Sequence, residues 1–146
     1  MYELRIIDAA QFRDLVSMDD VIPGVENAYS LFSSGKAGLF PIITHEFDPG
    51  RSDMDIKSGY IEGAGIYGLK MLGWNGDNPK LRGIPALSGL IIVMDIEKQQ
   101  PIGILEGSPV TFLRTGAAGA VGAHLLARQD SERVVILGAG EQGRAQ

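Results

Sequence analysis

The feature that most restricts what this chain can fold into is the run at residues 134–146. Four apolar residues, Val134-Val135-Ile136-Leu137, lead directly into Gly138-Ala139-Gly140-Glu141-Gln142-Gly143. In such an arrangement the first glycine permits a tight turn at the end of a buried-type strand. The second lets backbone approach a pyrophosphate, and the third lets a new helix pack closely on the strand. The opening helix offers unpaired N–H groups and the positive end of its dipole to phosphate. The pattern predicts a strand at 133–137 and the glycine turn of a dinucleotide-binding βαβ unit. Such a unit needs roughly 30 residues or more, and its ribose-binding acidic residue is expected about 20 residues past the turn. That point falls beyond Gln146, so the run is expected to belong to a longer polypeptide and not to hold a dinucleotide by itself.

Glycine makes up 20 of the 146 residues, about twice the usual share of roughly 7%. The glycines follow no period, so each is expected to mark a turn or a close backbone approach. A hydrophobic content of 45% with 21% charged residues is that of a folded globular chain. The net charge of −5 comes with no local Lys/Arg cluster, which argues against a nucleic-acid partner. With no cysteine, disulfides, thiolate metal sites and a cysteine nucleophile are excluded. The longest apolar runs, at 90–94 and 123–127, are too short to span a bilayer, and Met1-Tyr2-Glu3-Leu4-Arg5 lacks the apolar core of a signal peptide. A cytoplasmic protein without a membrane partner is the expectation.

Read along its length, the chain predicts a strand at 4–7 and a helix over 9–16 capped by Asp8. A second helix opens at 17–20, with Val21, Val25, Ala28, Tyr29 and Phe32 at helical spacing; Pro23 fits it only in a first turn. A strand follows at 39–44, then a turn at 48–51 and extended segments at 54–62 and 66–74, with loops at 76–79 and 82–85. The strongest strand, 87–96, returns through 101–105 as a hairpin, Pro101 standing at its start or on an edge. Ser108-Pro109 reads as a hydroxyl N-cap followed by proline at the first helical position, the helix running to Arg128. The fold class is α+β with a largely antiparallel sheet, leading through the connecting helix 109–128 into the start of a Rossmann α/β domain at 129–146.

That helix is unusual. Gly116, Gly119 and Gly122 recur every three residues, each costing about 1 kcal/mol against alanine, so something is expected to pack there too closely for a methyl group: another backbone, or a cofactor. Arg114, among small apolar neighbours, is either a solvated edge residue or a clamp for a carboxylate or phosphate.

Arg114-Thr115-Gly116-Ala117-Ala118, the small-residue helix, and the run from Val135 through Gly143-Arg144-Ala145-Gln146 together resemble the ornithine cyclodeaminase/mu-crystallin family. Gly68-Leu69-Lys70 followed by Asn78-Pro79 is similar to its G-x-K…N-P segment, and Ile104-Leu105-Glu106-Gly107 with Thr111 matches what precedes its R-T-x-A motif. The resemblance implies a substrate-binding and dimerisation domain over 1–128, a homodimer, and an NAD or NADP domain beginning at 129. It implies that Lys70 is catalytic and that Arg114 binds an amino-acid or cyclic-imine substrate, with Thr115, Gly138, Gly140, Gln142 and Gly143 near the cofactor. The activity implied is that of an NAD(P)-dependent amino-acid cyclodeaminase. Alanine dehydrogenase, ketimine reductase and a mu-crystallin-like ligand-binding protein are the family's alternatives.

Arginine can hold an α-carboxylate through two parallel hydrogen bonds, and a partly desolvated lysine beside another cation has a lowered pKa suited to proton transfer on an amine. The plain alternative for Lys70 is a surface lysine at a strand edge. The family's arginine two residues after a proline is absent: Pro41-Ile42-Ile43 stands there, and Lys57 is the candidate substitute. The family's catalytic aspartate lies beyond Gln146. Asp53 and Asp55 alternate along an extended segment and read as solvated, a substrate-amine role being the sharper alternative. His45 reads as a strand-end residue and His124 as a partly buried helix residue; their spacing suits no metal site.

Overall fold

Extended segments with alternating apolar residues need partners for their backbone N–H and C=O groups, and here they find them in one sheet. The computed structural model describes residues 2–146. Its strands are β1 (Arg5–Ile7), β2 (Ala37–Leu39), β3 (Ile43–Asp48), β4 (Ser52–Ile61), β5 (Ile66–Asn75), β6 (Leu87–Asp95) and β7 (Pro101–Glu106). The sheet order is β1-β7-β6-β5-β4-β2, with β3 also on β4. Every pairing is antiparallel except β1 beside β7. The expected strand at 39–44 is two strands: Leu39 ends β2 and Ile43 begins β3, both along one edge of β4. Pro41 has no N–H to give the ladder, although Phe40 N–H still donates to the Ser58 carbonyl at 2.9 Å.

The helices are α1 (Ala9–Leu15), α2 (Met18–Ser33), α3 (Asn78–Arg82), α4 (Gly107–Leu126) and α5 (Glu141–Ala145). Asp8 caps α1 as expected, its carboxylate accepting the Ala10 and Gln11 N–H groups at 2.9 Å each. Pro23 lies inside α2, past its first turn. The helix tolerates the missing hydrogen bond because Pro23 and Gly24 are on its exposed side, while Val21, Val25 and Ala28 face the protein. The short α3 takes Asn78, Pro79 and Arg82 out of the two expected loops, with Pro79 in its first turn.

Two expectations need correction. Ser108 does not cap α4: β7 runs into the helix without a loop, Glu106 is the N-cap, and the Ser108 hydroxyl donates instead to the Leu87 carbonyl at 3.2 Å. Pro109 is the third helical residue, where a missing N–H is equally harmless. The helix ends at Leu126, short of Arg128. Residues 133–137 do not form a strand. No neighbour among the described residues offers them a ladder, and Val134, Val135 and Leu137 are 83%, 83% and 95% exposed. The turn beyond them nevertheless has its expected form. Gly138 is at φ +103° and Gly140 caps α5. A Cβ on Gly143 would strike the Gly138 carbonyl oxygen.

Helices α2 and α4 cover one face of the sheet, and the buried core lies there: Leu72 under the start of α4, with Ala117, Val121 and Phe12. The opposite face carries Ile6, Ile43, Leu69, Met71 and Leu90, all exposed, and no element among the described residues covers it. No helix is long and apolar enough to cross a membrane.

Candidate functional site

The register of β4 and β5 sets Lys57 directly opposite Lys70. Strand alternation puts both on the helix-covered face together with Asp55. Two like charges facing each other across a ladder repel; Asp55 relieves this, its Oδ2 accepting from Lys57 Nζ at 2.6 Å. The other Asp55 oxygen is buried with no hydrogen-bond partner. Asp55 is therefore not the solvated carboxylate expected from the sequence. The alternation Asp53-x-Asp55-x-Lys57 was the available signal, since it sets all three on one face.

Lys70 occupies a central strand and is half-buried, so it is no strand-edge lysine. Its pKa is lowered from the ordinary lysine value, first by burial and second by the guanidinium of Arg114. Lys57 acts in the same direction and Asp55 opposes it. Arg114, exposed in the second turn of α4, is thus close enough to Lys70 to disfavour its charged form. Lys70 is thus the common neighbour of Lys57, Asp55 and Arg114.

Ile43, where the family's arginine is expected, lies opposite Ile56 on the uncovered face; the β3 residue opposite Asp55 is Thr44. No cationic side chain therefore comes from β3. His45 is exposed and meets the Phe47 ring edge-on with centroids 4.9 Å apart. His124 is exposed in the last turn of α4, not partly buried. No group of three His, Cys, Asp or Glu side chains that could hold a metal ion occurs among the described residues.

Of the residues expected near a cofactor, Thr115 follows Arg114 on α4, while Gly138, Gly140, Gln142 and Gly143 belong to the turn and to α5, which packs on α4. A Cβ on Gly116 would strike the Ala145 carbonyl oxygen, and one on Gly119 would strike the Gln146 side chain, so α5 seats on these two glycines. At Gly116 another backbone stands too close for a methyl group, and at Gly119 the end of a side chain does; Gly122 faces open space. Thr115 donates its hydroxyl to the Thr111 carbonyl at 2.7 Å, and its own carbonyl accepts from Gln146 Nε2 at 3.3 Å. Gln142 is exposed, and nothing lies within 4 Å of where a Gly140 Cβ would be. The turn is unobstructed on that side, which leaves its backbone open to a flat or anionic group.

Fold and site together define a half-covered antiparallel sheet whose longest helix joins a cationic cluster to a glycine turn of the dinucleotide-binding type. The chain belongs to the ornithine cyclodeaminase/mu-crystallin family, whose model matches residues 4–146. It is 33% identical to the alanine dehydrogenase of Archaeoglobus fulgidus over 140 residues, 96% of this chain and 42% of that protein. An archaeal alanine dehydrogenase dimer with bound NAD superposes with a TM-score of 0.91 at 31% identity, covering 99% of this chain and 43% of that one. The Δ(1)-pyrroline-2-carboxylate reductase of Thermococcus litoralis, in complex with NADH and L-proline, superposes at 0.90 with 30% identity, covering 97% and 43%. The chain thus spans less than half the length of the relatives it matches.

Proposed function

We propose that the complete polypeptide interconverts an amino acid and its Cα imine with NAD(P), residues 1–128 holding the substrate and 129–146 opening the cofactor domain. The observation that carries this reading is Lys70, its charge disfavoured by burial and by Arg114, on a face whose covering helix runs on to the glycine turn. The positive φ of Gly138 and the open side of Gly140 suit a dinucleotide there, with Gly143, Gln142 and Thr115 beside it. When bound, such a cofactor supplies the acceptor or donor of a hydride.

The rest of the chemistry belongs to this chain. Arg114 holds the substrate carboxylate in two parallel hydrogen bonds and so fixes the orientation of the Cα–H bond. Lys70 Nζ takes a proton from the α-amino group as the imine forms and returns it in the reverse direction. Lys57 and Asp55 offset each other, so the charge that attracts a carboxylate is that of Arg114. In an ornithine cyclodeaminase a distal amine then attacks the imine and ammonia leaves. An alanine dehydrogenase admits water at that point, and a ketimine reductase receives the imine ready-made. The second reading, a mu-crystallin-like binder without turnover, is favoured by Ile43 where the family's arginine is expected.

Assay of the complete protein with NAD(P) on amino acids and cyclic ketimines tests the reading; cofactor binding with no turnover on any of them supports the mu-crystallin-like one. Arg114→Lys is expected to raise the substrate KM at least tenfold while leaving cofactor affinity within about twofold, because lysine cannot present the paired donors. Equal losses in both would make Arg114 a cofactor contact.

The uncovered sheet face is proposed as the homodimer interface. Leu69 lies near its centre, on β5 between β4 and β6. Leu69→Glu is expected to convert a dimer into a monomer in sedimentation velocity. An unchanged sedimentation coefficient would move the interface elsewhere.

A further inference from the structure

A cavity of about 500 Å³ lies between α2 and the sheet. Its length follows the ladder of β4 and β5. Lys57 and Lys70 stand at one end and Ile61 and Ile66 at the other. Between these pairs Gly59 faces Gly68, where a Cβ would strike the Gly38 or the Ile92 carbonyl oxygen, so this stretch of the floor is bare backbone. Ala28, Tyr29 and Phe32 form the wall on α2, and Ile91 and Val93 complete the floor. The cavity therefore begins at the cations that the proposed function assigns to the substrate, and it continues as apolar surface away from them.

The lining contains no carboxylate. The carboxylates that flank it along the strands each have a partner: Asp55 accepts from Lys57, and Asp95, opposite Ile66 at the far end, accepts the Lys98 N–H. A second ammonium group on the substrate, as in a dibasic amino acid, would enter this space with no carboxylate in its lining to pair with, a costly burial. Methylene and methyl groups entering it would be favoured in proportion to the area they remove from water. The charges at the mouth fit a single anion: Lys57 is balanced by Asp55, Lys70 is the titrating group, and Arg114 is left for one carboxylate.

From this we infer that the substrate is a 2-amino monocarboxylic acid with an uncharged aliphatic side chain of three or more carbons, or the imine of the same skeleton. Its side chain fills the cavity under α2 and its carboxylate lies toward Lys70 and Arg114. The inference rests on the proposed function for the carboxylate end, and on the cavity alone for the side-chain end.

The test is calorimetric binding of alanine, norleucine and ornithine to the complete protein, followed by turnover of the same three with NAD(P)+. Norleucine and ornithine have side chains of equal length, so they differ in the terminal charge. Norleucine is expected to bind on the order of 50-fold more tightly than alanine, from three added methylenes, and at least tenfold more tightly than ornithine. Equal affinity for alanine and norleucine, or tighter binding of ornithine, overturns the inference. If norleucine binds as expected but no amino acid or ketimine is turned over, the cavity assignment stands and the proposed enzyme activity falls. Ala28→Phe on the α2 wall and Val93→Phe on the floor are expected to weaken norleucine binding at least tenfold more than alanine binding. Parallel losses in both variants would show that the side chain lies elsewhere.

Discussion

Replacing Lys70 by methionine is expected to lower kcat of the complete protein by about 10²- to 10⁴-fold, the usual contribution of a positioned acid or base, with a much smaller change in KM. Methionine preserves the length of the side chain and removes its proton. A loss confined to KM would show that Lys70 only attracts the carboxylate. The pH dependence gives a second readout. In the wild type, oxidation of an amino acid is expected to rise with pH through an inflection below the ordinary lysine value, because burial and Arg114 disfavour the ammonium form. Lys57→Met removes one of the groups that lower the Lys70 pKa and is expected to move that inflection to higher pH. Asp55→Asn removes the group that opposes them and is expected to move it lower. Stability has a definite sign as well. A lysine with a lowered folded-state pKa costs stability fully below that pKa, and the cost fades as pH rises toward the unfolded value of about 10.4. Lys70→Met is therefore expected to raise the thermal midpoint at neutral pH, with the gain shrinking as pH approaches 10.

Gly116→Val carries the other large effect, and it acts where no charge is involved. A Cβ at this position already strikes the carbonyl oxygen and carbon of Ala145 and crowds its methyl group. Those are backbone atoms with no rotamer to change, so α5 must lift from α4. The sheet and the α2–α4 packing lie elsewhere and are expected to keep the far-ultraviolet spectrum of the wild type. The glycine turn loses its seat beside Thr115, and NAD(P)H affinity, followed by cofactor fluorescence, is expected to fall at least tenfold. Gly122→Val serves as the control, since open space lies where its Cβ would be. Equal losses in the two variants would mean that helix propensity, and not close packing, is what the glycines supply.

Where local rules act alone, the structure was legible in the residues. The long antiparallel run from β4 to β7 follows apolar alternation and turn residues, and the cap on α1 follows one aspartate and one glutamine. Lys70, Arg114 and Lys57 could be singled out by motif and residue type, and the sheet register then explains how the two lysines meet. The misses share a cause: each depends on what lies across space. The strand at 39–44 is split because its register on β4 slips by one residue between Leu39, opposite Gly59, and Ile43, opposite Ile56. Ser108 is drawn from the helix end by the Leu87 carbonyl, 21 residues earlier in the chain. Residues 133–137 have the composition of a strand but no ladder beside them. Asp55 is half-buried because α2 and α4 cover the face it shares with Lys57, which an alternating pattern alone does not say.

The absence of a loop between β7 and α4 has a mechanical meaning. Glu106 is the last residue of the strand and Gly107 the first of the helix. A Cβ on Gly107 would crowd both the Leu72 side chain and the Gly89 backbone, and Ser108 ties the next residue to β6. The helix bearing Arg114 is thus clamped to the sheet bearing Lys70, and neither can tilt without the other. Substrate capture then requires little ordering of these two groups, which reduces the entropy lost on binding.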